Sequence, residues 1–386
     1  MNYGFGTYLK EYLEFNNISQ TEFANRLNIT QKHMNEILNG KSDITLEMAA
    51  NIHELTKIPV SFIIKAEYRK YVTEYILKKY GNTEELDKVL KKEFFLKELE
   101  KRKWIEFKDI TNSIQNYIDI ILFLKVKDFE ALEKIKEKTL FKKQGTDLTK
   151  LNLWIARADE LAQEQNVKEY DKNNIYFIID DLKQIAYNEG INIKKITELL
   201  NNYGIYFVDE KALSGSKVRG CFKVKGKNPA IYITQNYSGI DSFYFELFHE
   251  LGHCKSDYNE AKNKIIVEGD EKQEQRADKF ALNSMINAKV WKEIINNYRE
   301  ENLLKISTEN KIPMCFIVGR LAKLKYISYS SRLYNKYNLN KKWVDICTDE
   351  LYDKWQKTLR KNLSVFLSFI NKLFWFCFNF FFCFFR

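Results

Sequence analysis

Two histidines with a glutamate between them form the clearest chemical feature of this sequence. His249, Glu250 and His253 lie in the segment FHELGHC and follow the pattern H-E-x-x-H. Residues four apart share one face of an α-helix, so both imidazoles can bind the same metal ion. The carboxylate of Glu250 then lies beside the metal, where it can act as general base toward water. The pattern predicts a hydrolytic site that depends on Zn²⁺.

A catalytic zinc site takes a third protein ligand and keeps one position open. No histidine follows His253, so this third ligand is expected to be a carboxylate or a cysteine. The segment EKQEQRADKFALNSMI, which begins at Glu271, has a helical period. Glu274 is the best candidate and Glu271 is the alternative. Asp278, one turn after Glu274, is expected to orient a ligand histidine through its second ring nitrogen.

A second set of functional signals lies near the N-terminus, in SQTEFANRLNITQKHMNEILNGK. Ser19 and Glu22 form the pattern of a capping box, which predicts the start of a helix. Thr30 is a candidate N-cap for a second short helix, and Asn39 with Gly40 can end that helix. Two short helices joined by a tight turn are typical of a helix-turn-helix.

The segments SQTEFANRL, TQKHMNEILNGK and ITLEMA resemble the Cro/C1 (XRE) helix-turn-helix family, and more narrowly its HigA-type antitoxins. The resemblance implies a five-helix domain that binds DNA as a dimer on a two-fold site. It implies that Gln31, Lys32 and Glu36 contact bases in the major groove and that Gln20 contacts a phosphate. The chemistry agrees, because Gln can pair with adenine, Lys with guanine, and Glu can accept a hydrogen bond from cytosine.

The charge of this N-terminal segment limits its expected affinity for DNA. Residues 1–65 contain six Lys+Arg and seven Asp+Glu, so the segment is not basic. Because phosphate contacts supply much of the affinity for DNA, weak or salt-sensitive binding is expected. The alternative role is a small helical module that docks a protein partner.

The motif HELGH, followed further along by EQRADKFA, resembles the ImmA/IrrE family of zinc metalloendopeptidases. The resemblance implies that His249, His253 and Glu274 bind zinc, that Glu250 is the base and that Asp278 supports a histidine. It also implies a protein substrate, a helix-turn-helix repressor or antitoxin-like regulator. Such a cleavage would control transcription in a stress or mobile-element response.

An endopeptidase of this kind also needs a group that stabilises the oxyanion. Histidines other than the two of the motif lie only in the N-terminal region, so an arginine or a tyrosine is expected in this role. Arg219 and Tyr232 are the candidates.

Composition and residue patterns predict the fold that must position these residues. Hydrophobic residues make up 45% of the 386 residues, and only 14 Gly and 3 Pro occur, which favours helices over a strand-rich sandwich. Runs rich in β-branched and aromatic residues at 205–208, 221–224 and 230–234 indicate a few strands. The predicted fold class is mainly α with a small β-sheet (α+β).

Composition shifts along the chain, together with the two resemblances, predict five regions. These are a Cro/C1-type helix-turn-helix domain (1–66), a helical connector (67–150), an ImmA/IrrE-like metallopeptidase domain (151–330), a helical extension (331–361) and a Phe-rich hydrophobic tail (362–386).

Cysteine usage and the termini predict the compartment. The six cysteines contain no C-x-x-C pair, and the first residues lack the apolar segment of a signal peptide, so a cytoplasmic protein is expected. Residues 363–385 are long enough to cross a membrane, but Lys372 lies near their middle. A weak membrane association through this tail is therefore an alternative.

These observations together predict a DNA-binding zinc metalloendopeptidase that cleaves a repressor or antitoxin-like regulator. A HigA-like transcriptional regulator, whose metal domain senses a signal without turnover, is the alternative. A partner-binding protein with an inert metal domain is a third hypothesis.

Overall fold

The computed structural model describes residues 4–140, 147–262, 264–267 and 269–338. The chain divides into two compact units, Met1–Glu137 with Asp147–Arg157 and Lys138–Thr146 with Ala158–Arg386. The described residues are mainly helical with a small mixed sheet, which confirms the predicted fold class. Within them, no helix is both long enough and apolar enough to cross a bilayer. The predicted tail, and the predicted extension beyond residue 338, lie outside the described residues.

The first unit is helical. Its helices are α1 (Phe5–Phe15), α2 (Gln20–Arg26), α3 (Gln31–Leu38), α4 (Leu46–Thr56), α5 (Val60–Tyr80), α6 (Thr83–Glu93), α7 (Leu96–Lys101), α8 (Ser113–Leu124), α9 (Phe129–Lys138) and the first part of α10 (Leu148–Gln163). The side chains of Ser19 and Thr30 accept hydrogen bonds from the backbone N–H groups of Glu22 and His33, both at 3.1 Å. These two caps confirm the predicted starts of α2 and α3.

The first five helices share one apolar core. Phe23 of α2 and Met34 and Ile37 of α3 are buried in it, as the helical spacing predicts. Gly6 of α1 has no room for a Cβ atom, because the carbonyl oxygen of Ile37 lies against it. Burial of this face leaves the opposite side of α3 directed to solvent.

The second unit joins helices to a small sheet. Its strands are β1 (Thr139–Leu140), β2 (Tyr206–Asp209), β3 (Gly220–Lys225), β4 (Asn228–Ile233) and β5 (Ile265–Ile266). Its helices, after the end of α10 and a short 3₁₀ turn (Lys172–Asn174), are α11 (Ile175–Glu189), α12 (Ile193–Asn202), α13 (Ile240–Ser256), α14 (Tyr258–Ala261), α15 (Glu271–Met285), α16 (Ala288–Asn296), α17 (Glu300–Asn310), α18 (Met314–Lys323) and α19 (Arg332–Tyr337).

The sheet has the strand order β1-β5-β3-β4-β2. Strand β2 is parallel to β4, whereas β3 is antiparallel to both β4 and β5. Helix α13 packs on this sheet, and Leu247 and Phe248 are buried with Phe222 and Ile231 in one core. Phe316 of α18 packs against the rings of Tyr244 and Phe248 on α13. Helix α13, which carries the H-E-x-x-H motif, is thus fixed from two sides.

Candidate metal centre and helix-turn-helix domain

Helices α13 and α15 approach each other closely at a glycine. A Cβ atom on Gly252 would lie 3.0 Å from Cα of Ala277 and 3.2 Å from the ring of Phe280. Ala277 itself is buried in this contact. Glu274 and Asp278 lie on either side of Ala277 in helical spacing, so the close approach brings both carboxylates toward the histidines of α13.

Three potential ligand groups converge between these helices. The Nε2 atoms of His249 and His253 lie 3.1 Å apart. Glu274 places Oε2 3.3 Å from Nε2 of His249 and Oε1 3.3 Å from Nε2 of His253. Donor atoms around a tetrahedral zinc ion, at their usual distance of 2.0–2.1 Å, are separated by about 3.3 Å. The spacing and the chemistry of these donors therefore fit a zinc ion.

Two further carboxylates orient the imidazoles. Nδ1 of His249 lies 2.9 Å from Oδ1 of Asp278, and Nδ1 of His253 lies 2.8 Å from Oδ2 of Asp257. A neutral ring that donates through Nδ1 carries its lone pair on Nε2. Both lone pairs then point at one another and at the Glu274 carboxylate, an arrangement that a proton on Nε2 or a metal cation would stabilise.

The electrostatics of the centre favour positive charge. Burial opposes protonation of both imidazoles, but their carboxylate partners outweigh it and raise the pKa of His249 to about 10 and of His253 to about 9. Burial also opposes ionisation of Glu274, but the two imidazoles hold its pKa well below the usual range. The same surplus of negative charge would stabilise a divalent cation.

Glu250 is buried beside the ligands, with 3% of its surface exposed. Burial raises the pKa of its carboxyl group to about 7, against the opposing effect of the two imidazoles. Its Oε2 atom has no hydrogen-bond partner among the described residues. A Cβ atom on Gly220, at the start of β3, would lie 2.5 Å from Oε1 of Glu250, so only glycine leaves room for this carboxylate.

A cavity of about 210 Å³ opens next to the candidate metal ligands. It is lined by Val218, Arg219, Gly220, Phe245, Glu246, His249, Glu250, Val267, Glu274, Asp278 and Lys323. Nη1 of Arg219 donates to Oε1 of Glu246 at 2.8 Å, while 57% of the Arg219 side chain stays exposed. The cavity thus combines apolar side chains, the unpaired Oε2 of Glu250, three further carboxylates and two basic groups.

Some candidates from the sequence lie elsewhere. The hydroxyl group of Tyr232 is buried and donates to Oδ1 of Asp159 at 2.7 Å, and Tyr232 does not line the cavity, whereas Arg219 does. Glu271, the alternative ligand, is exposed and accepts a hydrogen bond from Gln275. Glu271 is also outside the group of side chains whose ligand atoms converge.

Asp257 is a site residue that the sequence reasoning missed. It lies four residues after His253, and besides holding that imidazole it accepts a 2.8 Å hydrogen bond from Arg276. The signal was available in the sequence, because a carboxylate four residues after a ligand histidine shares its helical face.

The candidate DNA-contacting residues lie together on the surface of the first unit. Gln31 and Lys32 are exposed on the first turn of α3, and Glu36 is partly exposed one turn later. Gln20 is exposed at the first position of α2. This exposed side of α3 is available to a groove because Met34, Ile37 and Leu38 occupy the buried side.

Comparison with known protein families identifies the N-terminal part of this unit. Residues 9–63 match the helix-turn-helix family, and the match includes the whole of α2, α3 and α4. The N-terminal region is therefore an XRE-type helix-turn-helix domain, which supports a DNA-binding regulator. Neither the curated proteins nor the solved structures yielded a match.

Proposed function

We propose that this chain is a DNA-binding zinc metalloendopeptidase that cleaves a repressor or antitoxin-like regulator and thereby controls transcription. The main support for the peptidase function is the triangle of potential metal donors from His249, His253 and Glu274, whose nitrogen and oxygen atoms lie 3.1–3.3 Å apart. The buried, unpaired Oε2 of Glu250 lies beside this triangle and lines the same cavity.

His249, His253 and Glu274 would hold the zinc ion. Bound there, zinc would lower the pKa of water toward about 7 and polarise a peptide carbonyl group. Glu250 is suited to act as the base, because its carboxylate lines the cavity beside the metal position and its Oε2 atom has no other partner among the described residues. It takes a proton from the attacking water at Oε2 and returns it to the amine nitrogen of the leaving peptide.

The remaining polar groups position these reactants. Asp278 and Asp257 keep the Nε2 lone pairs directed at the metal position, because each accepts the Nδ1–H of one imidazole. Glu246 holds one nitrogen of Arg219 and leaves its other donors free to face the cavity. In this proposal Arg219 stabilises the negative charge that develops on the carbonyl oxygen.

DNA binding uses α3. Gln31, Lys32 and Glu36 would contact base edges in the major groove, while Gln20 would contact a phosphate and fix the orientation of the domain. The absence of excess positive charge in residues 1–65 implies that one domain binds DNA weakly. Two copies on a two-fold operator would compensate for the weak binding of one domain.

The proposed substrate follows from the same combination. A peptidase that carries its own operator-binding domain is concentrated near other DNA-bound regulators, which raises its effective concentration toward them. The resemblance of the HELGH and EQRADKFA segments to ImmA/IrrE enzymes points to a helix-turn-helix repressor or antitoxin as the protein that is cleaved.

A second candidate is a HigA-like regulator whose metal centre senses a ligand without turnover. The observation that favours it is the family match, which supports regulation and covers only the N-terminal domain.

One experiment separates the two. The purified protein and its His249→Ala and Glu250→Gln variants are analysed for zinc and incubated with the regulator encoded by a neighbouring gene. We expect wild type and E250Q to hold zinc, H249A to lose it, and only the wild type to cleave. Zinc binding without cleavage would favour the sensor, and equal, negligible zinc in all three proteins would exclude both.

A further inference from the structure

One basic group of the cavity has no close ionic partner in the part of the chain that the structure describes. Arg219 is paired with Glu246, Asp278 with His249, and Glu274 lies between the two imidazoles. Lys323 also lines the cavity; it interacts electrostatically with Asp241, but no carboxylate of the described residues lies within ion-pair distance of its ammonium group.

The position of Lys323 is fixed by helix packing. It is the last residue of α18, and Gly319 of that helix lies directly against the side chain of Asp241 at the start of α13. The ammonium group lies 5.4 Å from the ring centre of Phe245, and that ring centre lies 6.2 Å from the ring centre of His249. Lys323 is therefore about one side chain away from the proposed reaction centre, across the ring of Phe245.

From this geometry we infer that the cavity selects substrates carrying a carboxylate near the cleaved bond and that Lys323 binds this carboxylate. This inference rests on the proposed peptidase function. A peptide bound over His249 places its neighbouring side chain near Phe245, where the methylene groups of an acidic residue can pack on the ring. Its carboxylate can then reach the ammonium group. A chain-terminal carboxylate offers the same charge, and the experiment distinguishes the two sources.

The test uses degenerate ten-residue peptide libraries that differ at one fixed central position, Glu in one and Gln in the other. Each library is prepared with a free and with an amidated C-terminus. Cleavage is measured with the zinc-loaded wild type, and binding is measured by fluorescence anisotropy with the E250Q variant, which does not turn over. We expect the Glu library to be preferred about three- to fivefold, the range of a partly exposed ion pair.

Variants connect the preference to one residue. Lys323→Ala should abolish the preference for Glu by raising KM for the Glu library, while kcat for the Gln library stays unchanged. Lys323→Glu should reverse the preference toward a library with a central Lys. Lys292→Glu is the matched control, because Lys292 is an exposed helical lysine of the same unit that does not line the cavity. High salt should weaken the preference.

The possible outcomes are distinct. A preference that follows the free C-terminus rather than the central Glu, but still depends on Lys323, assigns the carboxylate to the chain end. Cleavage or binding with equal rates for Glu and Gln, or a preference that persists in K323E, would overturn the inference while leaving the peptidase intact. Binding of the Glu library that depends on Lys323, without any cleavage, would uphold the inference and refute turnover. Absence of both binding and cleavage would refute both.

Discussion

The two carboxylates that orient the proposed zinc ligands have different surroundings, and this difference predicts unequal effects on metal affinity. The Asp257 side chain is 5% exposed and accepts hydrogen bonds from both His253 and Arg276. The Asp278 side chain is 55% exposed and holds His249 through one hydrogen bond of 2.9 Å. Water can replace a lost acceptor at the exposed position much more readily than at the buried one.

The magnitude follows from these contacts. Removal of a carboxylate that supports a ligand histidine typically weakens metal binding about 10- to 100-fold, or roughly 1.4–2.7 kcal/mol. We expect Asp278→Ala near the lower limit, since solvent reaches the Nδ1–H of His249 there. We expect Asp257→Ala near the upper limit, because Nδ1 of the buried His253 has no other acceptor among the described residues.

Zinc affinity is measured by competition with a chromophoric chelator, and circular dichroism verifies that each variant is folded. Arg276→Gln serves as the control for the outer hydrogen bond, and it should weaken zinc binding less than D257A because Asp257 keeps its charge. An equal or greater loss in D278A than in D257A would refute the argument from burial. Unchanged affinity in both variants, beside a clear loss in H249A, would refute the orienting role itself.

Three further predictions concern other parts of the molecule. Gly220→Ala should sharply reduce cleavage while zinc content is retained, because the new methyl group would meet Oε1 of Glu250 at 2.5 Å. Lys32→Ala should cost about 1–3 kcal/mol in operator binding and relax sequence preference, as measured by gel shift at low salt. Burial raises the pKa of Asp209 to about 7. Protonation of Asp209 in the native state therefore stabilises the fold, and this contribution is complete below the usual carboxyl pKa. The contribution is lost as pH rises through 7. In urea denaturation, the free energy of unfolding of the wild type should fall by up to roughly 4 kcal/mol between pH 4 and 8, and Asp209→Asn should remove this fall.

Each of these predictions has a matched control. Gly226→Ala adds a methyl group where no atom lies within 4 Å, and its φ of +66° makes the substitution costly to stability but leaves the site itself untouched. The folded G226A variant should therefore cleave normally, and equal loss in folded G220A and G226A would contradict the steric argument. Lys10→Ala changes an exposed lysine of α1, and a gel shift that responds equally to K10A and K32A would argue against base contact by α3. Parallel pH profiles of wild type and D209N would show that Asp209 ionises normally.

Local signals determined what could be predicted in the first unit. Ser19 and Thr30 cap helices through their own neighbours, and the apolar residues between them follow the helical period, so each element can be read from a short segment. The charged and polar residues on the exposed side of α3 follow from the same pattern. The order of the five strands in the second unit had no such signal, because the sheet joins segments that are far apart in the sequence.

The candidate metal centre could also be predicted only in part from the sequence. The pairing of His249 with His253 follows from helical spacing, but the role of Asp257 requires that α13 continue to its very end. Helix ends are uncertain by one or two residues in any sequence reading, and this uncertainty decides whether Asp257 reaches an imidazole. The position of Lys323 beside the cavity could not be predicted for a different reason, because it depends on the contact of Gly319 with Asp241.

The contrast between the two units has a physical basis that bears on function. The residues proposed to contact bases lie on the exposed side of one short helix, α3, so they can change one at a time without disturbing the core. The proposed metal centre depends on the distance between α13 and α15, which Gly252 and Ala277 set through backbone contact. Any residue larger than these would separate Glu274 from both histidines, although it changes no ligand. The requirements for zinc binding therefore extend to residues without chemical function, and a search for such sites by ligand pattern should also ask whether small residues lie between the ligands.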